Sequence, residues 1–301
     1  MRKGGLIELR RGGQRKLFLV HDGEGETLVY LNLARHLTDE LAVFAIEPRH
    51  IERVPLAHTT IEDMAAFYIE EIRKQQPQGP YLLGGLCAGG IIAYEMAVQL
   101  IRAGERVDLV ALLESVTPGA PERPRRIRKQ RLHSLKQAIA HSKTNGNRTI
   151  TRATLIVGAF SKKLWNVLLW ETSQRARRWS VSARFRLLRV VLRRKLAWPK
   201  FLPELTPREI YDSAHIHHKP KTLSNATVVL IRAKTGEGDD TPYRNIYLDE
   251  TFGWNGIANS LTIVDVEGGH ATMLEERFVD SIAKVLLPYL QQSTAQIHSS
   301  V

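Results

Sequence analysis

Short apolar runs alternate with stretches of helical period along the first 115 residues. LIELRRGG (6–13) and KLFLVHDG (16–23) read as two strands with a Gly-Gly turn between them. Leu28, Leu31, Leu33, Ala34 and Leu37 then share one face of a helix over about 27–38. Ala42–Ile46 is a short buried strand that stops before Pro48. Thr59 or Thr60, with Glu62 or Asp63 three residues on, caps a helix that runs to about Gln76, where Pro77 and Gly79-Pro80 halt it. YLLGGL (81–86) is the next strand, Ala88–Ala103 a helix closed by Gly104, and VDLVALLES (107–115) another strand.

The rhythm breaks over 118–222, which reads as Arg-rich helices carrying Trp165, Trp170, Trp179 and Trp198. It returns with the strands ATVVLIRA (226–233) and LTIVDVEG (261–268) and an amphipathic helix, FVDSIAKVLLPYLQQ (278–292), that contains Pro288. Strand–helix alternation predicts an α/β fold: a mainly parallel sheet with helices on both faces. The 118–222 segment is too long for a loop and reads as a helical lid inserted into one domain spanning 1–301.

Charge sharpens this picture. The chain has 301 residues and a formal net charge of +12, yet Pro121–Lys200 alone holds 22 Lys and Arg against 2 Glu, a net of +20. The remainder is therefore acidic, at −8. A basic insertion on an acidic body points to an anionic partner or to a solvated helical surface. No helix-turn-helix, zinc or aromatic RNA-binding pattern accompanies the charge, which argues against nucleic acid. No apolar run approaches the length of a membrane span, and MRKGGLIELRRGGQRK lacks the apolar core of a signal peptide. One cysteine excludes an internal disulfide and suits a reducing, cytoplasmic setting.

That cysteine carries the candidate chemistry. GGLCAGG (84–90) joins an apolar strand to a helix in a G-x-C-x-G pattern, with Gly85 and Gly89 flanking Cys87 at two residues on each side. In such an elbow the nucleophile sits on a tight strand-to-helix turn, where flanking side chains would collide with neighbouring backbone. At a helix N-terminus the thiol faces unpaired N–H groups, so a depressed pKa is expected. The Ala88 N–H is placed to serve a developing oxyanion. A free cysteine is more commonly a small buried hydrophobe; the strand, the helix and the glycines favour a nucleophile here.

A thiolate needs a base, itself oriented by a third group. His270 follows the strand LTIVDVEG in the turn EGGH, the place of the base in the order nucleophile, acid, histidine. The acid has two candidate positions: Glu114 at the end of the strand after the elbow helix, or Glu237, Asp239 and Asp240 after the strand ending at Ala233. His215, His217 and His218 (AHIHH) lack a metal-ligand partner cluster and read as surface residues at the lid edge. No metal is expected.

IEDMAAFYIEEI, QPQGPYLLGGLCAGGIIAYEMAVQL and GERVDLVALL, between Ile61 and Leu113, together resemble the type I thioesterases that end non-ribosomal peptide synthetase and polyketide synthase lines. FLVHDGEGETLVYLNLARHL is similar to their H-P-x-G-G loop and first helix, and FGWNGIANSLTIVDVEGGHATML to their tryptophan-to-histidine segment. The likeness spans about 15–115 and 222–290. It implies the α/β-hydrolase fold, with Cys87 as nucleophile, His270 as base, and Glu114, in ESVTP, as acid. A second oxyanion amide would fall on Gly23, or else on Asp22. Three departures stand out: Cys for Ser, Glu for Asp, and HDGEG for HPxGG.

The resemblance also implies a substrate: an acyl or peptidyl chain held as a thioester on the phosphopantetheine of a carrier protein, with no cofactor of the enzyme's own. Cysteine would capture that chain as another thioester and keep it activated for water, an internal amine or hydroxyl, or an external acceptor. Carrier proteins are acidic and their arm bears a phosphate, which Arg125, Arg126 and Arg128 of the lid would contact. The chain would act alone or as a megasynthase domain. Rival readings are a hydrolase of the dienelactone hydrolase type, with a Cys-His-Asp triad, and a non-catalytic scaffold that binds an anionic partner.

Overall fold

The computed structural model describes residues 5–123 and 172–291. Contacts divide the chain into two compact units, Met1–Glu122 with Phe185–Val301, and Arg123–Arg184. The larger unit is a seven-stranded sheet with its helices. Its first half comprises β1 (Leu6–Arg10), β2 (Arg15–Val20), α1 (Leu31–His36), β3 (Leu41–Ile46), α2 (Ile61–Gln75), β4 (Tyr81–Leu86), α3 (Ala88–Arg102) and β5 (Val107–Leu113). Then come a helical stretch α4 (185–193), α5 (Pro207–His215), β6 (Thr227–Ala233), α6 (Tyr243–Ile246), β7 (Leu261–Val266) and α7 (Val279–Gln291). In the smaller unit, residues 172–184 are helical and mostly exposed. Residues 185–222, at the C-terminal end of the Arg-rich segment, cluster with the larger unit.

The strand order is β1-β3-β2-β4-β5-β6-β7. All neighbours are parallel except β1, which runs antiparallel to β3. The turn after β1 therefore makes no hairpin with β2; β1 closes the sheet edge beside the later β3. Central strands such as β3 and β4 are buried along their whole length, as continuous apolar runs require when both faces are covered. One face packs Leu17, Leu19, Leu82, Leu109, Ala111, Val229 and Ile231 against α1 and α7. On the other, α3 lies against β2, β4 and β5 with α2 beside it.

Local signals explain the element ends. Thr60 caps α2 by accepting the Asp63 N–H at 3.1 Å, so the cap falls on the second of the two threonines. Thr206 and Glu209 form a reciprocal capping box on α5, with Pro207 in its first turn. Parallel strands present all their C-terminal ends at one rim of the sheet. The loops after β2, β4, β5, β6 and β7 converge there.

Candidate active site

Cys87 is the residue at which β4 becomes α3. Its backbone has φ 52 and ψ −109, a conformation that side chains rarely adopt. The flanking glycines make the turn possible. A Cβ on Gly85 would lie 2.4 Å from the Gly89 carbonyl carbon, and one on Gly89 would lie 2.4 Å from the Val20 oxygen. On Gly90 it would meet Ser115 Oγ at 2.0 Å. Neighbouring backbone thus fills the space around the elbow. The Cys87 N–H is held by the Leu113 carbonyl at 2.8 Å, and its side chain is half-buried.

Glu114 directly follows β5 and is fully buried, also at positive φ, 46. A buried carboxylate needs donors around it, and backbone supplies them. Ala233 N–H donates to Oε1 at 2.8 Å and Tyr243 N–H to Oε2 at 2.7 Å. The following turn is anchored too: Trp254 Nε1 donates to the Ser115 carbonyl at 2.8 Å, and the Thr117 N–H reaches the Phe252 carbonyl at 3.0 Å.

His270 presents Nδ1 to Glu114 Oε2 at 3.4 Å, longer than an ideal hydrogen bond. Such contacts often tighten once substrate is bound. Burial by itself would lower the imidazole pKa. Hydrogen bonds and charge from Cys87 and Glu114 outweigh it and raise the pKa to about 9. With Nδ1 turned to the carboxylate, Nε2 is the nitrogen left for the sulfur. The structure therefore brings Cys87, His270 and Glu114 together from three different strand ends.

The rival acids behave differently. Asp240 accepts the Ala271 and Thr272 N–H groups at 2.7 and 3.1 Å through Oδ1, and the Thr272 hydroxyl at 2.7 Å through Oδ2. Its carbonyl takes the His270 N–H at 3.0 Å. Asp240 thus clamps the backbone of the histidine loop. Glu237 and Asp239 flank it in the same turn, around a single helical turn at Gly238–Asp240.

Gly23 lies beside Ala88: a Cβ on Gly23 would be 3.7 Å from the Ala88 methyl. Amides of the Asp22 loop are largely engaged within it. Asp22 N–H goes to the Glu26 carbonyl at 3.0 Å and Gly25 N–H to the Asp22 carbonyl at 3.1 Å; Glu24 and Glu26 N–H go to Asp22 Oδ1, each at 2.9 Å. The Asp22 N–H is therefore occupied as a donor, and Gly23 is the residue of this loop that lies beside Ala88. His21, the first residue of HDGEG, is buried. Its Nε2 lies 2.7 Å from the Tyr68 hydroxyl, and burial lowers its pKa to about 4, so it is neutral.

Two residues at this rim carry no signal in the hydropathy pattern. Tyr243, on the four-residue α6, places its hydroxyl 3.1 Å from Cys87 Sγ and stacks on His270, with ring centroids 4.3 Å apart at 25°. Arg208, on the first turn of α5, ion-pairs with Glu24 through Nε. One of its terminal nitrogens lies 3.5 Å from the position of a Cβ on Gly23. The T-P-R-E string at 206–209 marks the helix start but not the direction of this side chain.

AHIHH is not uniformly a surface feature. His217 is exposed, but His218 is buried, with Nδ1 2.8 Å from Glu62 Oε1 and Nε2 4.0 Å from Glu95 Oε2. Carboxylates of α2 and α3 pull it inward, a tertiary pairing that local polarity does not reveal. His215 stacks on Tyr211 at 5.2 Å, and burial lowers its pKa to about 4. Among the described residues, no group of three or more His, Cys, Asp or Glu is placed to hold a metal ion. No helix among them is long and apolar enough to cross a membrane. Arg125, Arg126 and Arg128 lie outside the described residues.

Comparison with known proteins places this geometry. The chain is 37% identical over 111 residues to malpibaldin synthetase of Mortierella alpina, covering 36% of this chain and 2% of that protein. It is 44% identical over 105 residues to the non-reducing polyketide synthase terA of Aspergillus terreus, covering 35% of this chain and 5% of that protein. The chain thus corresponds to a small part of the length of these relatives. Among solved structures, the NocB thioesterase domain of the nocardicin cluster superposes with a TM-score of 0.56 at 21% identity, over 96% of this chain and 98% of that one. The surfactin thioesterase domain SrfTE gives 0.53 at 16%, over 96% of each. These likenesses carry the α/β-hydrolase fold. A sequence model described as the thioesterase domain matches residues 15–288, nearly the whole chain, and the chain belongs to the thioesterase domain family.

Proposed function

We propose that this thioesterase domain releases an acyl or peptidyl chain from a carrier protein's phosphopantetheine thioester through an acyl-Cys87 intermediate. The observation that carries the reading is the convergence of Cys87, His270 and Glu114 at one sheet rim, with Cys87 held at φ 52 on the elbow. Chain release as such follows from the family and from the synthetases and polyketide synthases among its relatives.

In this reading His270 Nε2 takes the proton of the Cys87 thiol, and the imidazolium is stabilised by Glu114. The sulfur attacks the thioester carbonyl. Its developing oxyanion meets the N–H groups of Ala88 and Gly23. The new bond joins carbon to Sγ, the bond to the pantetheine sulfur breaks, and that sulfur departs with the proton from His270. In the second half, water, an amine or an alcohol gives its proton to His270 and attacks the acyl carbon. The C–Sγ bond breaks and Cys87 recovers the proton. Exchange of one thioester for another is nearly isoenergetic, so the acyl-enzyme stays reactive. We therefore favour transfer or cyclisation over simple hydrolysis.

Glu114 takes the acid's role because Asp240 is occupied with the backbone of 270–272. That disfavours a dienelactone-hydrolase arrangement. Carrier docking would use the basic segment, with Arg125, Arg126 and Arg128 as candidate phosphate contacts. The partner would be an acidic carrier domain in the reducing cytoplasm.

The test offers a panel of acyl-pantetheine thioesters and follows acyl-Cys87 and the released product by mass spectrometry. An acyl mass on the Cys87 peptide that turns over to product is expected. Product formation without such an adduct in the wild type, and equally in Cys87→Ala, would overturn the reading. Binding of acyl-carrier protein should weaken steeply with salt, and less so once Arg125, Arg126 and Arg128 are reversed to glutamate.

A further inference from the structure

Tyr243 touches each of the three groups assigned above to catalysis, by a different part of the residue. Its hydroxyl lies 3.1 Å from Cys87 Sγ, its ring stacks on His270, and its backbone N–H donates to Glu114 Oε2 at 2.7 Å. We propose that Tyr243 is a fourth catalytic residue: its hydroxyl donates a hydrogen bond to the Cys87 sulfur and holds it as the anion, while its ring fixes the plane of the imidazole. The inference rests on the reading of Cys87 as the nucleophile and deepens it.

Several observations direct the hydrogen bond from oxygen to sulfur. The phenol is largely buried, and burial, followed by the charge of Cys87, pushes its pKa far above the ordinary value. It therefore stays protonated wherever a thiol ionises and has a proton to give. His270 flanks the sulfur and the ring at once. The charge of Cys87 is also felt by Arg208, Tyr211 and Tyr247. Tyr243 places its hydroxyl within hydrogen-bond distance of Sγ.

The chemistry fits the cysteine. A thiolate is large and diffuse, and a hydrogen bond from a neutral donor favours it over the thiol. When the acyl carbon bonds to Sγ, the sulfur loses its charge and the phenol loses its acceptor. The hydroxyl then sits next to the acyl carbon, at the start of the second half-reaction. The ring meanwhile covers one face of His270, so the imidazole is approached from the sulfur side. Phe252 and Tyr247 pack edge-on against the Tyr243 ring, at 6.2 and 5.4 Å.

The position is built for this role. Directly after the Thr241–Pro242 pair that ends the Asp240 turn, the chain coils into α6, whose first amide meets Glu114. The same carboxylate that orients His270 therefore also fixes the residue that contacts the nucleophile. A displacement of either would move both.

The experiment measures Cys87 alkylation by iodoacetamide from pH 5 to 10 in wild type, Tyr243→Phe and Tyr211→Phe, read by intact mass. Phenylalanine keeps the stacked ring and the backbone N–H, so the fold and His270 stay in place; a thermal melt checks this. Loss of a hydrogen bond to a charged group predicts an inflection about one pH unit higher and roughly tenfold slower alkylation near pH 6 in Tyr243→Phe. Tyr211→Phe should follow wild type. A Tyr243→Phe profile that superimposes on wild type would sink the proposal. So would a Tyr211→Phe shift of equal size, since the effect would then be general polarity. Acyl-adduct formation from acyl-pantetheine in wild type is scored separately and decides the acyl-transfer reading, not the role of Tyr243.

Discussion

Asp240 grips Thr272 through both the backbone and the hydroxyl, at 3.1 and 2.7 Å. This relationship separates two carboxylates that lie after adjacent strands. Glu114 faces the imidazole, whereas Asp240 faces the peptide groups just beyond it. Glu114→Gln puts an amide NH2 against the N–H groups of Ala233 or Tyr243 and removes the charge beside His270. Steady-state assays should show kcat falling on the order of a hundredfold or more. Asp240→Ala instead removes the clamp on the loop. It should cost about 1–3 kcal/mol in urea unfolding and leave most of kcat once the protein is kept below its lowered Tm. The reverse pattern, with Asp240 dominating kcat and Glu114 dispensable, would transfer the acid's role to Asp240.

The titration of His270 gives a second test. Its pKa of about 9 in the folded chain exceeds the value near 6.5 of a free imidazole. The folded state therefore favours the charged ring. The stability it contributes is complete below about pH 6.5 and is lost as pH rises through about 9. NMR of the labelled imidazole should find that midpoint in wild type. In Cys87→Ala the sulfur's hydrogen bond and charge are gone while the burial remains, so the midpoint should fall toward 6.5. An unchanged midpoint in that variant would mean that the two side chains are not coupled.

Much of this architecture is legible before any coordinates. Each strand of the sheet is an apolar run of its own, and the elbow, its glycines and the Thr60 cap are local events that neighbouring residues determine. Cys87 and His270 stand out as residues of turns that leave strand ends, whereas the choice of Glu114 over Glu237, Asp239 and Asp240 comes only from the resemblance to the type I thioesterases. What the chain does not display locally is pairing at a distance. β1 joins β3 and not the nearer β2, because sheet position is decided by partners far along the sequence. His218 looks like one more polar residue in AHIHH, but carboxylates on two other helices draw it into the interior. Tyr243 lies on a helix of four residues, too short for any periodicity. Its contacts with Cys87 and Glu114 join residues more than a hundred positions apart.

The glycines of the elbow should be far less replaceable than those of turns. At Gly89 an added methyl meets two carbonyl oxygens, of Val20 and His21, at 2.4 and 2.6 Å. Neither can retreat without breaking the end of β2. Gly89→Ala should therefore cost roughly 4 kcal/mol or more and yield little folded protein. Gly104, after α3, has φ +83 but nothing within 4 Å of an added Cβ. Gly104→Ala should cost only the backbone strain, about 1–2 kcal/mol. Equal unfolding free energies for the two variants would contradict the packing argument.

Replacing Cys87 by serine tests what the sulfur contributes. The elbow accepts serine without change of shape, since the position needs only a small side chain at φ 52. A seryl oxyester holds less of the thioester's activation than a cysteinyl thioester does. Competition between water and an added amine should therefore shift: the amine product of Cys87→Ser should drop on the order of tenfold relative to hydrolysis. A product ratio and turnover equal to wild type would show that the thiol has no special part in the second step.

Arg208 offers a way to probe the proposed oxyanion side of the site independently of Cys87, His270 and Glu114. Its guanidinium reaches Gly23 from α5, held by Glu24, and both side chains of the pair are about half exposed, at 48% and 52%. An exposed pair of this kind contributes little to folding, so Arg208→Ala should shift Tm by no more than about 2 °C. The cation also senses the charge of Cys87. The same field would act on the oxyanion proposed to form beside Gly23 and Ala88, and would grow as that negative charge develops. Loss of the guanidinium should therefore lower the rate of acylation by an acyl-pantetheine roughly tenfold, with KM little changed, and Arg208→Lys should recover part of it. Because the effect is electrostatic, Glu24→Gln, which leaves the arginine in place without its counter-charge, should not slow acylation. If Arg208→Ala acylates at the wild-type rate, the guanidinium serves only to pin the Asp22 loop to α5, and the oxyanion depends on backbone amides alone.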